Sequence, residues 1–515
     1  MIDVRSLAAR PLFWPTFWKY TFISLGVAIY GLVAFLGFNL ALGSTGCPMF
    51  WNVFALICGS HTGMVLALCL FVSPIAAYFA IKRPWLFPIS LYAVLVPSDS
   101  FLNYSSLTGG SSLSKVAGIL AVGSMMWYLA RNKRFVNPGS AVTAWLAYGA
   151  FCTLTLLWGF HVEDGTVTLW LTLWQLILLY VVMSVAEIRE DEFKIILGAW
   201  FIGCLIASVF GASVFGFNGA KFDNVGRLKA YFSADSKLLS DLFSASFVFP
   251  IALVVMMTLR ERWGLKKIGL VGVFAVMLLG QFVVGSRGGI LADFCAACYF
   301  FIRGRYRSQL MFLGALAITV SFVFPTATWG RFLKPDPSGG SGRLEIWKVG
   351  LEALKNYWLF GAGFAQFQNV YDKYFLTVFN AIYEQWHRGP HNIILQAWVE
   401  LGIFGVSIML LGWWLTFKSM NHIPRGHWLY DARIAVEGGV GGAFIAAIFV
   451  GVMLSKFTFW MFTIVALCRQ VSMRRMAAEK AAQARASHLD SVVLLDTGPP
   501  RGREALPAPQ AGRAR

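Results

Sequence analysis

Charge is scarce in this sequence. Asp, Glu, Lys and Arg make up 13% of its 515 residues, where soluble domains carry about 25%. That scarcity excludes a soluble chain of this length, which would divide into domains with polar surfaces. Acidic charge is scarcer still: 25 Asp and Glu stand against 43 Lys and Arg, for a net charge of +18. In a membrane protein this surplus does not point to nucleic acid, because cytoplasmic loops are enriched in Lys and Arg. Short period-two runs are missing, which excludes a membrane β-barrel. The eight cysteines form no framework. Cys295 and Cys298 make a CxxC inside an apolar run, with no second pair or histidine beside it, and two soft ligands do not make a zinc site. No Asp-x-Asp occurs in the outer loops and no carboxylate cluster suits a divalent cation, so neither metal nor cofactor is expected. The Gly361-Ala362-Gly363 triplet follows no strand, which excludes a dinucleotide loop and leaves a stop and turn.

What is present is apolar: 57% hydrophobic and 16% aromatic residues, with a mean hydropathy of +0.64. Runs long enough to cross a bilayer recur throughout, so the expected fold is all-α, a polytopic transmembrane bundle of about 12–14 helices. The first run, 20–42, is too long for a signal-peptide core and reads as the first membrane helix. Runs at 61–81, 85–96, 116–130, 141–160, 166–186, 195–217, 238–259, 268–285, 290–302, 309–328, 392–417, 434–454 and 457–467 follow. Basic loops on alternate connections put both termini inside. Residues 1–468 are then a membrane domain containing one large outer, periplasmic loop at 327–391, and residues 469–515 a basic cytoplasmic tail. In that tail RRMAAEKAAQARA extends a helix along the inner surface, its cations near anionic headgroups. Disorder is expected from about Ser487.

The positive-inside bias fails at three outer loops: 217–237, the SRGG at 286–289, and 331–390. An anionic ligand on the far side of the membrane is a common reason for such a break. Arg287 sits between two apolar runs, a costly position unless it is paired or reaches water, and Asp293 is the nearest acid in the sequence. A snorkelling arginine is the plainer reading. Arg227 lies near Lys229 and Lys237, with Asp223 and Asp235 as ordinary partners. Arg343 opens an amphipathic helix with an apolar stripe of Leu344, Trp347, Leu351, Leu354 and Trp358. Its polar face carries Glu345, Lys348, Glu352 and Lys355, which pair along it. The loop ends in His387-Arg388-Gly389-Pro390-His391-Asn392. Pro390 holds its predecessor extended, so His391 falls near the first turn of the next helix, where the N-terminal field binds anions and resists ring protonation. A neutral imidazole there suits a general base; a histidine that only caps the helix is the alternative. His61, His161, His422 and His427 read as loop or interface residues.

The strings GRLEIW (342–347), GLEALKNYWLFGAGF (350–364) and HNIILQAWVELGIFG (391–405) resemble the O-antigen ligase and O-antigen polymerase superfamily of bacterial membranes. SRGG, and Arg227 followed by a short polar stretch and a new helix to Ser244, are similar to other pieces of that family. The resemblance covers about residues 220–410; the first part of the chain shares only hydropathy and loop pattern. It implies that His391 is the catalytic histidine and that Arg287 and Arg227 are the essential arginines. Arg343 matches the arginine opening the loop helix, and it is grouped with Arg388, Asn392 and Lys229 as substrate-binding. The implied reaction, at the periplasmic face of the inner membrane, moves a glycan from undecaprenyl diphosphate to an acceptor sugar hydroxyl, metal-independently and with inversion. The favoured acceptor is lipid A-core, as in a ligase; a second lipid-linked repeat, as in a polymerase, is the alternative. A transporter or flippase for lipid-linked glycan is the reading from another class. It predicts repeat symmetry or matched broken helices, and the sequence carries neither. Partners are the lipid-linked glycan, its acceptor and membrane lipids, with no nucleic acid.

Overall fold

The structure, a computed structural model, describes residues 83–99, 113–212, 240–283, 285–322, 329, 342–379, 388–451 and 455–496. The expected helices at 20–42 and 61–81, the loop with Arg227 and Lys229, and His387 lie outside the described residues. Regular structure among the described residues is helical, apart from a single bridge between Phe135 and Ala186. In order, the helices are α1 Leu86–Leu95, α2 Leu113–Asn132, α3 Ser140–Leu154, α4 Val162–Thr168, α5 Trp174–Val185, α6 Glu190–Ala212, α7 Ser240–Arg260, α8 Leu265–Val283, α9 Arg287–Arg303, α10 Arg307–Ser321, α11 Arg343–Tyr357, α12 Phe367–Val378, α13 Ile393–Phe417, α14 Tyr430–Phe449 and α15 Lys456–Asp496. They form an all-α polytopic membrane bundle. Six of them are long and apolar enough to cross a bilayer by themselves: α3, α6, α7, α8, α13 and α14. The others are shorter or more polar, so the expected number of crossings is not reached on length and hydropathy among the described residues.

Small residues bring these helices together, as they do where the surrounding solvent is as apolar as the core. A Cβ on Gly203 of α6 would fall 2.4 Å from the Val94 carbonyl of α1, and one on Gly280 of α8 would fall 2.6 Å from the Ser208 backbone of α6. The run Gly438-Gly439 with Gly442 lets α14 sit between α7 and α9, each glycine within about a ring's thickness of Phe249, Phe300 or Val248. That wedge sets the starts of α7 and α9 side by side, which matters below. Trp145 fills the space over Gly412 of α13 and donates to the Thr416 hydroxyl at 3.2 Å.

Helices α11 and α12 have a small core of their own. Ile346, Val349, Ala353, Val370 and Tyr371 pack onto Leu395 and Val399 of α13. This overturns the expected stripe on α11. Leu344, Leu351 and Trp358 are 49%, 59% and 52% exposed, and the buried face is Ile346, Val349, Gly350, Ala353 and Leu354. Both faces are apolar enough to be a stripe; Gly350 decides between them, because the Leu395 side chain lies against it. Along the polar face Lys355 pairs with Glu352 at 2.8 Å as expected.

The tail also departs from expectation. Through residue 469 and past Ser487, α15 runs unbroken from Lys456 to Asp496, so the tail begins as the continuation of a helix. The stretch has no glycine or proline to stop it before Gly498. Three of its arginines meet partners within the protein. Arg475 binds Glu190 at 2.9 Å, Arg474 lies 3.4 Å from Glu187, and Arg469 donates to the Asn137 carbonyl at 3.0 Å. Two histidines complete this docking: His427 meets Glu479 and His422 meets the Ser472 hydroxyl, both at 2.8 Å.

Candidate functional site

The site begins with an acid that the sequence reading missed. Asp241, in the first turn of α7, accepts from the Ser286 hydroxyl at 2.8 Å with one oxygen and from Arg343 at 2.7 Å with the other. Ser286 is the N-cap of α9, its hydroxyl also accepting from the Gly289 amide. One carboxylate thereby joins the starts of α7, α9 and α11, and Arg287 follows directly from the capping serine. Asp293, the acid expected near Arg287, lies farther along α9 with both carboxyl oxygens buried away from hydrogen-bonding partners. Only a polar residue at the start of an apolar run marked Asp241 in the sequence.

The fourth helix start arrives through α11. Trp347 donates from its indole to the Pro390 carbonyl at 3.1 Å. Arg388 lies 3.6 Å from Glu345 and rests on Gly342, where a Cβ would come within 2.9 Å of the guanidinium. Gly342 also has φ +72°, so this position suits glycine on both counts. Burial pushes the Tyr371 hydroxyl above its ordinary pKa, and the neighbouring Arg388 guanidinium pulls it back. These contacts hold residues 388–390 along the first turns of α11 and deliver His391 and Asn392 to the same mouth. Asn392 is the N-cap of α13, its side-chain oxygen accepting from the Ile394 and Leu395 amides at 2.9 and 3.0 Å. His391 precedes it with φ +47°, a strained conformation for a non-glycine residue and one that collects at functional sites. Capping therefore belongs to Asn392, and it occupies that residue's side-chain oxygen.

Behind the histidine, α13 is braced from below. It is broken at Gly402, where φ is +65°. The Gly361–Gly363 turn fits into the break: Ala362 and Gly363 donate to the Val399 and Glu400 carbonyls at 2.9 and 2.8 Å, and Ile403 donates to the Trp358 carbonyl at 2.9 Å. A Cβ on Gly361 or Gly402 would lie 2.2 or 2.1 Å from the opposing carbonyl oxygen. The buried Glu400 carboxylate accepts from the Ala365 and Phe367 amides at 3.2 Å each and from Gln396 at 3.3 Å, capping the start of α12. The glycine triplet is a backbone clamp holding the first half of α13, and so His391, in a fixed pose against α11 and α12.

Of the residues singled out by sequence, Arg287, Arg343, Arg388, His391 and Asn392 come to one mouth, while Arg227 and Lys229 lie outside the described residues. Four helix N-termini converge there, each carrying partial positive charge and amide donors. Guanidiniums joined to that field form a setting for a multiply charged anion, and an imidazole beside it can exchange a proton with a bound hydroxyl. His422 and His427 belong to the opposite end of the bundle, and His161 is held by its backbone to Gln366.

No curated protein matches the chain. A family model described as O-antigen ligase matches residues 272–410, the stretch from within α8 to within α13 that supplies Arg287, Arg343, Arg388 and His391. Over that stretch the chain is similar to the O-antigen ligase family, and the match is consistent with a membrane enzyme.

Proposed function

We propose that the protein is an O-antigen ligase, transferring a glycan from undecaprenyl diphosphate to a sugar hydroxyl of lipid A-core at the periplasmic face of the inner membrane. The observation that carries this reading is the convergence of the starts of α7, α9, α11 and α13 around Asp241, Ser286, Arg343 and Pro390. It supports a site for a prenyl diphosphate at the mouth of a membrane bundle. Arg287 and Arg343, with Arg227 from the adjoining loop, take the diphosphate oxygens as forked donors. Arg388 and Asn392 act mainly by holding the loop and the helix start, Arg388 through Glu345 and Asn392 through its cap; Lys229 adds charge on the donor side.

In the transfer step the acceptor oxygen attacks the anomeric carbon from the face opposite the diphosphate. The new C–O bond forms as the old one breaks, and the electron pair leaves on the phosphate oxygen. His391 takes the acceptor's proton. The guanidiniums and helix N-termini stabilise the charge growing on the leaving group. The anomeric configuration inverts, and no step calls on a metal.

The test is acceptor identity with purified protein. Lipid-linked glycan is offered lipid A-core in one reaction and a second lipid-linked unit in another, with products read by mass spectrometry. A new glycosidic bond to lipid A-core is expected. Extension of the lipid-linked unit instead makes the protein a polymerase, and movement of glycan across vesicles without a new bond makes it a transporter.

A further inference from the structure

We infer that the end of the bundle opposite His391 holds a binding site for the headgroup of an anionic phospholipid. A cavity of about 570 Å³ opens there between the starts of α1 and α6 and the end of α2. Its floor is aromatic: the Trp85 and Tyr128 rings lie with centroids 4.2 Å apart, tilted 34° to one another, and the Tyr128 hydroxyl donates to the Glu187 carbonyl at 3.0 Å.

One wall is built around Glu192, whose side chain is 1% exposed. Arg189 grips it with two donors at 2.8 and 3.0 Å, and Arg83 sits 3.7 Å away. The other amino group of Arg83 is fixed on Asp191 at 2.6 Å, so its Nη1 is buried beside the cavity without a hydrogen bond. The far wall carries Arg131 and Arg134, neither of which makes an ion pair with a described residue; Arg131 lies 5.4 Å over the Trp127 ring. The lining thus holds four arginines against two glutamates. Of those acids, Glu192 is consumed within its wall and Glu187 is shared with Arg474. A buried guanidinium nitrogen that makes no hydrogen bond, although Glu192 lies 3.7 Å from it, and two guanidiniums that pair with no described acid suit a phosphate group in the space they share.

The surroundings select a lipid over free phosphate. From Trp127 at the rim, the outward face of α2 continues two turns on as Leu120 and Ile119 and a further turn to Val116, between 47% and 62% exposed. That is one apolar track leading along the helix from the cavity into the membrane. A ligand with its phosphate among the arginines and its acyl chains along this track satisfies both features. The cavity lies at the helix ends, where headgroups are found. This inference is independent of the reaction proposed above.

Full-length protein, purified in neutral detergent and stripped of lipid, is titrated with phosphatidylglycerol, phosphatidylcholine or inorganic phosphate and followed by native mass spectrometry and thermal unfolding. Phosphatidylglycerol is expected to remain bound and raise the unfolding midpoint, and the other two are not. The Arg131→Ala/Arg134→Ala double variant, changed at two exposed positions, should weaken phosphatidylglycerol binding at least about tenfold. Arg425→Ala, an exposed cation at the same end outside the cavity, should bind as wild type. Unchanged binding by the double variant overturns the site. An equal loss in Arg425→Ala overturns it in favour of a diffuse basic surface. An equal thermal shift with inorganic phosphate overturns the lipid assignment.

Discussion

At the end of the bundle farthest from His391, arginines meet acids across neighbouring elements: Arg83 with Asp191, Arg475 with Glu190, Arg305 with Asp431. At the other end a single carboxylate, Asp241, serves both Arg343 and the cap of α9, and four helix N-termini crowd around it. The same side chain therefore has two uses. Where acids are plentiful, an arginine ties one helix end to another. At the Asp241 end one carboxylate ties three helix starts together, and the guanidiniums there are proposed to meet the negative charge of a ligand. Arg131 and Arg134 are among the cations at the first end that pair with no described acid, and their place on the wall of the cavity is the basis for placing a lipid there.

The sharpest way to break this comparison is at the histidine. His391→Ala should lower turnover by about 10²–10⁴-fold, the usual worth of a general base, with an unchanged unfolding midpoint because Asn392 makes the cap. A variant that transfers glycan at the wild-type rate removes His391 from the mechanism. Arg287→Ala should cost about 10²–10³-fold, as loss of one charge-stabilising donor does; a change confined to KM would instead make it a binding residue. Asp241→Asn keeps the shape but removes the charge that holds Arg343. Turnover should fall about tenfold, the loss of one charge-assisted bond, and normal turnover would show that the three helix starts are set by other contacts.

At the opposite end the effects should appear in stability alone. Arg475→Ala should cost at most about 1 kcal/mol, since the pair with Glu190 is partly exposed, with glycan transfer unaffected. A loss of turnover comparable to that of Arg287→Ala would collapse the distinction between the two ends. The smallest effect is His422. Burial holds its imidazole below the ordinary histidine pKa, so the unfolded chain takes up a proton first as pH falls. Its contribution is complete above about pH 6.5 and is lost progressively below it. Unfolding midpoints measured across that range should drop toward acid in the wild type and flatten in His422→Gln.

Much of this was legible along the chain. The apolar runs match α1 to α3, α6 to α10, α13 and α14 to within several residues, because the length and hydropathy of each run are local properties, whereas α12 was not foreseen and α15 runs far past its apolar stretch. The HN string was legible as a helix start for the same reason, and Asn392 caps it, whereas SRGG, read as a loop, proves to be the capped first turn of α9. The burial of α11 was not legible, since either of its apolar faces satisfies helical spacing and only Leu395 against Gly350 chooses. Nor were the partners of the tail arginines, which looked free to meet lipid until Glu187 and Glu190 were found beside them.

By itself, the order of residues determined an all-helical membrane bundle and the helix that opens after His391 and Asn392. Those features follow from hydropathy, capping and the cost of charge in lipid, which act over a turn or two of chain. The tertiary structure alone decided that Asp241 serves Ser286 and Arg343, 45 and 102 residues away, and that Gly361 and Gly402 clamp the helix behind His391. Pairings at such separations depend on how helices pack, and packing is fixed by shape complementarity over the whole core, which no local pattern encodes.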